Sequence, residues 1–184
     1  MPFAIDLAAR IDATPPDAAI RARYLMLLEE PLRALGHDPA LVRPARPCPA
    51  YTMVPVREYL AFAHAAGAAV GPTPEQGIAQ LHQDAMSALI EVPASRLFLS
   101  PRDLDPFKLL GRFASSRSLV ASYGEWSIEG QPGDATITVR KEWVWIEAMW
   151  ASVLRSVFSA CGQPLPVLEC HLEDPWSGTL RFRW

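Results

Sequence analysis

The sequence lacks several features by which the function of a protein is often recognised. Its 184 residues contain no run of roughly 20 apolar residues, the length that spans a bilayer. The 17 lysines and arginines are scattered, so they form no basic patch of the kind that binds nucleic acid. The ten glycines form neither a GxGxxG motif nor a phosphate-binding loop. We therefore expect no membrane span, no nucleic-acid partner and no nucleotide site of these types.

Cysteine is scarce, and its spacing matches no common zinc or redox motif. Cys48, Cys161 and Cys170 form no CxxC pair. An odd count, in a chain whose N-terminus lacks the basic region of a secretory signal, indicates a reducing and cytoplasmic setting. Cys161 and Cys170 could meet as a disulfide, or could bind zinc together with His171, but buried free thiols are the favoured interpretation.

The sequence also contains no recognisable set of catalytic residues. Cys170 and His171 are neighbours on a predicted strand, so their side chains point to opposite faces and cannot act together as nucleophile and base. Glu169, Glu173 and Asp174 are interpreted as a solvated rim. We therefore predict that the protein is not an enzyme and carries no cofactor.

What the sequence does have is a high hydrophobic content and frequent proline. Half of the residues are hydrophobic, which is enough for a sizeable core, and 18 are proline. The prolines separate segments in which apolar residues recur with helical spacing. Helices are predicted at 18–36, 55–70, 75–92 and 106–114, the first of them capped by Asp17.

After residue 118 the pattern changes from helical spacing to the alternation of a sheet. Apolar and polar residues alternate strictly at 135–140, which is typical of a half-buried strand. An apolar stripe at 144–161, stopped by Gly162, predicts a single helix. The strands are predicted at 118–130, 135–140, 165–172 and 179–184.

The sequence therefore predicts an α+β fold. N-terminal helical hairpins, residues 1–118, should pack on a C-terminal β-β-α-β-β unit, residues 119–184, whose sheet has four antiparallel strands. The two parts are expected to form one compact domain. Trp150 should be buried, whereas one of Trp143 and Trp145 should lie at the edge, where a ligand or partner could use its ring.

Four segments carry a family resemblance: VREYLAFAHAAG, GIAQLHQDAMSAL, CGQPLPV and LRFRW. They resemble a family of paralogous proteins of unknown function that is largely confined to myxobacteria, over roughly residues 20–184. The closing unit also resembles, in its topology, the haem-dependent nitric-oxide-binding domains and the small-molecule-binding domains named after vinyl reductase. The topological resemblance of the closing unit implies a sensory module, although a shared fold is weak evidence for a shared function.

The resemblance to the haem-dependent domains implies a histidine ligand on a helix and a Tyr-x-Ser-x-Arg element that holds the haem propionates. His82 lies on a predicted helix, but residues 137–141 read ITVRK and contain neither tyrosine nor serine. His82 is therefore expected to be a half-exposed helical histidine. A haem-based gas sensor is the less favoured alternative.

These observations favour a non-enzymatic cytoplasmic regulatory or sensory module that binds a small apolar ligand between the helices and the sheet. The alternative is a ligand-free interaction module, either a homodimer or an adaptor for a signalling partner, with the last strand as an exposed edge. The residues expected to line the ligand site are Tyr59, Phe62, Met86, Phe113, Tyr123, Trp126 and Trp150. The residues expected at the interface are Leu180, Phe182 and Trp184.

Overall fold

The computed structural model describes residues 6–41, 49–91 and 105–184, and its architecture confirms the predicted α+β class. The helices are α1 (Leu7–Asp12), α2 (Arg23–Ala34), α3 (Val56–Val70), α4 (Pro74–Glu91), α5 (Pro106–Val120) and α6 (Ala151–Ala160). The strands are β1 (Ala19–Arg21), β2 (Met53–Pro55), β3 (Glu125–Gln131), β4 (Asp134–Arg140), β5 (Val167–Asp174) and β6 (Ser177–Arg183). A 3₁₀ turn lies at Pro39–Leu41, and a π turn at Ile146–Trp150 leads into α6.

Two glycines let helices α3 and α4 approach closely where they cross. A Cβ atom on Gly77 would overlap the carbonyl oxygen of Gly67, and one on Gly67 would lie 2.5 Å from the carbonyl oxygen of Pro74. Because no larger residue fits without moving the backbone, this crossing fixes α4 against α3. From there α4 also packs against α2, the π turn and α6, so it joins the two parts of the fold. None of the described helices is both long and apolar enough to cross a membrane.

The first predicted helix begins later than expected. The sequence predicts a helix from Asp17, but residues 19–21 form strand β1, which pairs antiparallel with β2 so that Ile20 lies opposite Val54. Ile20 is fully buried there, and the backbone N–H of Val56 donates to the carbonyl of Ala18. Long-range pairing thus outweighs the local helical pattern, and α2 starts only at Arg23.

Helix α5 is longer than the sequence suggests. The side chain of Asp105 accepts a hydrogen bond from the backbone N–H of Phe107 at 3.1 Å, and Pro106 occupies the first helical turn. The helix then continues to Val120, beyond the predicted end at residue 114. Its last turn carries a buried arginine, Arg117, whose partner lies outside the helix. The proposed division at residue 118 therefore falls inside this last turn.

The C-terminal unit contains the predicted four-stranded antiparallel sheet, with strands in the order β3-β4-β6-β5. Alternate residues of the two central strands face the core and are fully buried. These residues are Ala135, Ile137, Val139, Leu180 and Phe182. Helix α6 covers this face, where Phe158 stacks on Phe182 with 5.7 Å between ring centroids. The order strand, strand, helix, strand, strand is confirmed.

The prediction that the last strand is an edge is wrong, because β6 lies between β4 and β5. The first hairpin adds to the second through its β4 strand, which leaves β3 and β5 at the edges. Leu180 and Phe182 are therefore 0% exposed, and Trp184 is half-buried against Phe158, with 5.0 Å between their ring centroids. The structure therefore does not support an interface formed along an exposed edge of β6.

Candidate functional site

A small cavity lies where the N-terminal helices meet the C-terminal unit. Its volume is about 70 Å³, and its wall is formed by α2, α4 and α5 on one side and by the π turn and α6 on the other. Most of the wall is aliphatic, aromatic or sulfur-containing, including Leu28, Met86, Phe113, Met149 and Val153. This is the kind of junction at which ligand sites are found.

His82 is the histidine on the cavity wall, and both of its ring nitrogens already have partners. Its Nδ1 lies 2.7 Å from the carbonyl oxygen of Ile78, which can only accept, so Nδ1 carries the proton. Its Nε2 then accepts from the Tyr59 hydroxyl at 2.6 Å, and the same hydroxyl oxygen lies 3.1 Å from Met149 Sδ. Burial lowers the pKa of His82 to about 4, so the ring is neutral at pH 7.

The expectation that His82 is half-exposed is wrong, since the residue is 5% exposed. The helical pattern correctly places it on α4, but it does not show that α3 and the π turn cover this side of the helix. The buried Tyr59 hydroxyl satisfies the ring nitrogen that water would otherwise bind. His82 is thus part of the interior rather than of the surface.

A buried ion pair lies near the cavity and was missed by sequence reasoning. Arg117, in the last turn of α5, donates from Nε and Nη2 to the two carboxylate oxygens of Glu142 at 2.8 and 2.7 Å. The Glu142 carboxylate also accepts from Trp126 Nε1 at 2.9 Å and from the backbone N–H of Val144 at 3.2 Å. Arg117 is 3% exposed and Glu142 is 0% exposed.

Three aromatic rings surround the Arg117 guanidinium. Its carbon lies 4.8 Å from the ring centroid of Tyr123, 5.2 Å from that of Trp150 and 5.9 Å from that of Trp126. Trp126 and Trp150 also meet edge to face, with centroids 4.8 Å apart. Burial lowers the pKa of Arg117, but Glu142 and Tyr123 outweigh that effect and hold it above its ordinary value. The pair therefore stays charged and joins α5 to the segment before the π turn.

One sequence signal could have revealed this pair. Arg117 continues the apolar stripe of α5 that runs through Leu110 and Ala114, and a charge on such a stripe implies a buried partner. Glu142 comes directly before the tryptophan-rich segment, where it interrupts a run of apolar residues. Neither position, however, indicates which opposite charge it meets.

The seven residues predicted to line a ligand site lie in four different places in the structure. Met86, Phe113 and Trp150 line the cavity. Tyr59 lies behind it through His82, and Tyr123 and Trp126 surround Arg117 together with Trp150. The seventh residue, Phe62, is buried in α3 and does not line this cavity. Ligand binding by these residues stays a prediction.

The π turn also contacts the N-terminal helix, through a residue that does not line the cavity. Arg10 of α1 donates to the Glu147 carboxylate and to the carbonyl of Pro175, and its guanidinium lies 5.0 Å from the ring centroid of Trp176. Trp143 packs on Trp176 with their centroids 4.8 Å apart and is half-buried, as expected for the tryptophan at the edge. The turn that forms part of the cavity wall therefore also holds α1.

The zinc alternative finds no support in the described part of the chain. Among those residues, no three histidine, cysteine or acidic side chains form a group that could hold a metal ion. Cys161 is a half-buried free thiol near the end of α6, and Cys170 is an exposed one on β5. Cys48 lies outside the described residues.

Solved structures with a similar arrangement of helices and strands identify the fold. An Fe(II) unliganded H-NOX protein from K. algicida superposes with a TM-score of 0.66 at 9% identity, covering 89% of this chain and 96% of that one. The fold is that of the H-NOX proteins. A point mutant of the same protein superposes with a TM-score of 0.59 at 12% identity, covering 88% and 92% of the two chains.

A third solved structure, described as modulating haem redox potential through protein-induced porphyrin distortion, has a TM-score of 0.54 at 10% identity. It covers 87% of this chain and 90% of that one. No family model matches the chain, and no curated protein sequence matches it significantly. The predicted resemblance to haem-dependent nitric-oxide-binding domains is thus confirmed for the fold, while the myxobacterial family and the vinyl-reductase domains stay predictions.

The residues at this junction do not fit a haem. The cavity of about 70 Å³ is far below the roughly 300–1,000 Å³ of ordinary ligand pockets. Of the four histidines only His82 lines it, and both of its ring nitrogens are engaged. On strand β4, where the resemblance places the propionate-binding element, Ile137 and Val139 point into the core, while Arg140 and the following Lys141 are exposed. In this chain, side chains and a buried ion pair occupy the interior of the H-NOX fold in place of a haem.

Proposed function

We propose that the protein is a non-enzymatic, cytoplasmic sensory module that binds a small, mainly apolar molecule without haem. The observation that carries this proposal is the apolar cavity between the helical part and the C-terminal unit. The H-NOX fold supports it, because two of the similar solved structures are Fe(II) unliganded H-NOX proteins and the third is described by its haem redox potential. The same junction would here receive the small molecule directly.

The cavity limits the size of the ligand. An apolar cavity of about 150 Å³ stays dry and binds benzene or xenon. The cavity here has about half that volume, at about 70 Å³, so its ligand is smaller than a benzene ring. The flexible side chains of Met86 and Met149 on the wall can adapt to molecules of slightly different shape.

The position of the cavity would allow ligand binding to be transmitted to another part of the protein. Met149 and Trp150 on its wall belong to the π turn, and Glu147 of the same turn holds Arg10 of α1. Single π turns within helices are frequent at functional sites. Binding would shift the π turn and so change its contact with α1, which gives a path from ligand to surface.

A homodimeric interaction module without ligand is the second candidate. One observation favours it: Val167, the first residue of edge strand β5, and Leu165, two residues before it, are more than half exposed. Edge strands are ready templates for pairing with another chain. If β5 forms the interface, Val167→Glu should convert the dimer to a monomer in light scattering, while the corresponding change at a distant exposed residue, Leu119→Glu, should not.

The ligand proposal is tested with a small apolar probe and a variant that fills the cavity. Propyne should shift the NMR signals of Met86, Met149 and Val153 in the wild-type protein. Ala85→Val adds two methyl groups to the cavity wall and should weaken propyne binding by about tenfold or more, because the probe and the new methyl groups compete for one space. The control Ala79→Val lies on the same helix but does not line the cavity, so it should bind propyne like the wild type.

Two results would contradict the proposal. Propyne shifts that avoid the cavity residues, or that are equally strong in Ala85→Val, would show that the cavity is not the site. A stoichiometric Soret band after titration with haemin would show that the interior opens for haem, which the packing around His82 and Arg117 does not allow.

A further inference from the structure

Three side chains on the cavity wall carry hydrogen-bonding groups, and two of these groups are unavailable to a ligand. His82 uses Nδ1 for the carbonyl of Ile78 and Nε2 for the hydroxyl of Tyr59. The indole N–H of Trp150 has no partner among the described residues, but it is fully shielded from any space that water could reach. Neither group can meet a bound molecule without rearrangement.

The third group is the hydroxyl of Tyr24, on helix α2. Tyr24 lines the cavity beside Leu27 and Leu28 and is half-buried. Its hydroxyl makes no hydrogen bond within the described part of the chain, and it is not among the fully shielded polar atoms. Among the described wall residues, Tyr24 is therefore the one whose hydrogen-bonding group is both accessible and without a partner in the described part of the chain.

The electrostatic surroundings keep this hydroxyl protonated. Burial raises the pKa of Tyr24; Arg117 lowers it, and Glu142 raises it. Since the net shift is upward, the phenol is neutral at physiological pH and offers one O–H donor. A purely apolar ligand would cover this donor without pairing it, which costs free energy, whereas a ligand with an acceptor at that end would pair it.

We propose that the molecule bound in the cavity has a small apolar body with one hydrogen-bond-accepting group, such as a carbonyl or a nitrile, and that the Tyr24 hydroxyl donates to this group. The inference rests on the proposed function, because it assigns the chemistry of the ligand at the same site. It narrows the ligand from any small apolar molecule to one that is polar at a single end.

A matched pair of probes separates shape from hydrogen bonding. Propyne and acetonitrile are linear molecules of the same size, but only the nitrile nitrogen of acetonitrile is a good acceptor. With three non-hydrogen atoms each, they bind at about millimolar concentration at best, which NMR titration measures readily. Tyr24→Phe removes the hydroxyl and leaves the ring that forms the cavity wall.

We expect Tyr24→Phe to weaken the binding of acetonitrile and not that of propyne. Tyr24→Phe should weaken acetonitrile binding by about threefold to tenfold, the effect of one neutral hydrogen bond. It should leave propyne binding within about twofold of wild type. The infrared nitrile stretching band of bound acetonitrile should also differ between the two proteins. The control Tyr51→Phe, at a residue that is 78% exposed and outside the cavity, should change none of these values.

The outcomes distinguish this inference from the proposal on which it rests. If both probes bind and Tyr24→Phe leaves acetonitrile binding and the nitrile band unchanged, the role of Tyr24 is refuted while the cavity remains the site. If neither probe binds the wild-type protein, the proposed function itself fails, and the inference fails with it. Propyne binding by Tyr24→Phe also shows that this variant is folded with its cavity intact.

Discussion

Replacing Glu142 by glutamine should destabilise the protein strongly, although the side chain keeps its shape. Four donors converge on the Glu142 carboxylate: two from Arg117, one from Trp126 and one from Val144. Glutamine presents one oxygen and one NH₂ group, so at least one of these donors loses its acceptor. The Arg117 guanidinium, 3% exposed, would also retain its charge without a counter-charge. Breaking a buried pair in this way costs about 3–5 kcal/mol, a large part of the roughly 5–15 kcal/mol that stabilises a typical domain.

A double variant separates the charge effect from the loss of packing. Arg117→Met together with Glu142→Gln removes both charges and keeps an acceptor for one of the two remaining donors, Trp126 or Val144. The double variant should lose about 1–2 kcal/mol of the free energy of unfolding, clearly less than Glu142→Gln alone, because an apolar side chain replaces the unpaired charge. Urea unfolding at pH 7.5, followed by tryptophan fluorescence, measures both values. A Glu142→Gln protein within about 0.5 kcal/mol of wild type, or a double variant at least as unstable as Glu142→Gln alone, would refute this reasoning.

Two further predictions concern His82 and the crossing of α3 and α4. The pKa of His82 is lowered by burial to about 4 from the ordinary 6.5, so between these values the unfolded chain binds the proton first and stability falls as pH falls. Lowering the pH from 7.5 to 5.0 should therefore reduce the free energy of unfolding of the wild type by about 2 kcal/mol more than that of His82→Gln. Urea unfolding at the two pH values measures this difference, and an equal loss in both proteins would contradict the prediction. Gly77→Ala should lower the free energy of unfolding by about 2 kcal/mol or more, since the new methyl group meets the Gly67 carbonyl. Gly111→Ala, whose methyl group meets only Ile128 at 3.9 Å, should instead raise it by about 0.5–1 kcal/mol; equal effects would exclude the close crossing as the cause.

The sequence predicts those parts of the fold in which local pattern and tertiary packing agree. The strict alternation at 135–140 becomes strand β4, and the apolar stripe at 144–161 becomes the π turn and helix α6. Both elements bury the face that their periodicity marks. A pattern of this kind identifies an element and its inward face from neighbouring residues alone.

Features that depend on distant pairing were not predictable in this way. Strand β1 is stabilised by β2, which lies beyond α2 in the chain, so the helical spacing after Asp17 was misleading. The internal position of β6 follows from which hairpin strand pairs with which, and alternation does not show that. The partners of Arg117 and His82 likewise come from other elements.

The candidate site was predictable as a region and not as a set of contacts. The expected junction of helices and C-terminal unit does contain the cavity, and Met86, Phe113 and Trp150 lie on its wall. Residue size and helix face were enough to select these three. They could not show that Tyr123 and Trp126 turn toward a buried arginine, because that arginine was not recognised as an interior residue.

A crystal structure of protein produced in haem-supplied cells and placed under xenon pressure tests the central claim most directly. We predict electron density for xenon between Met86, Met149 and Val153, with the Arg117–Glu142 pair intact and His82 bonded to Tyr59. Density for a porphyrin at the junction, or a junction that stays empty under xenon, would contradict the account.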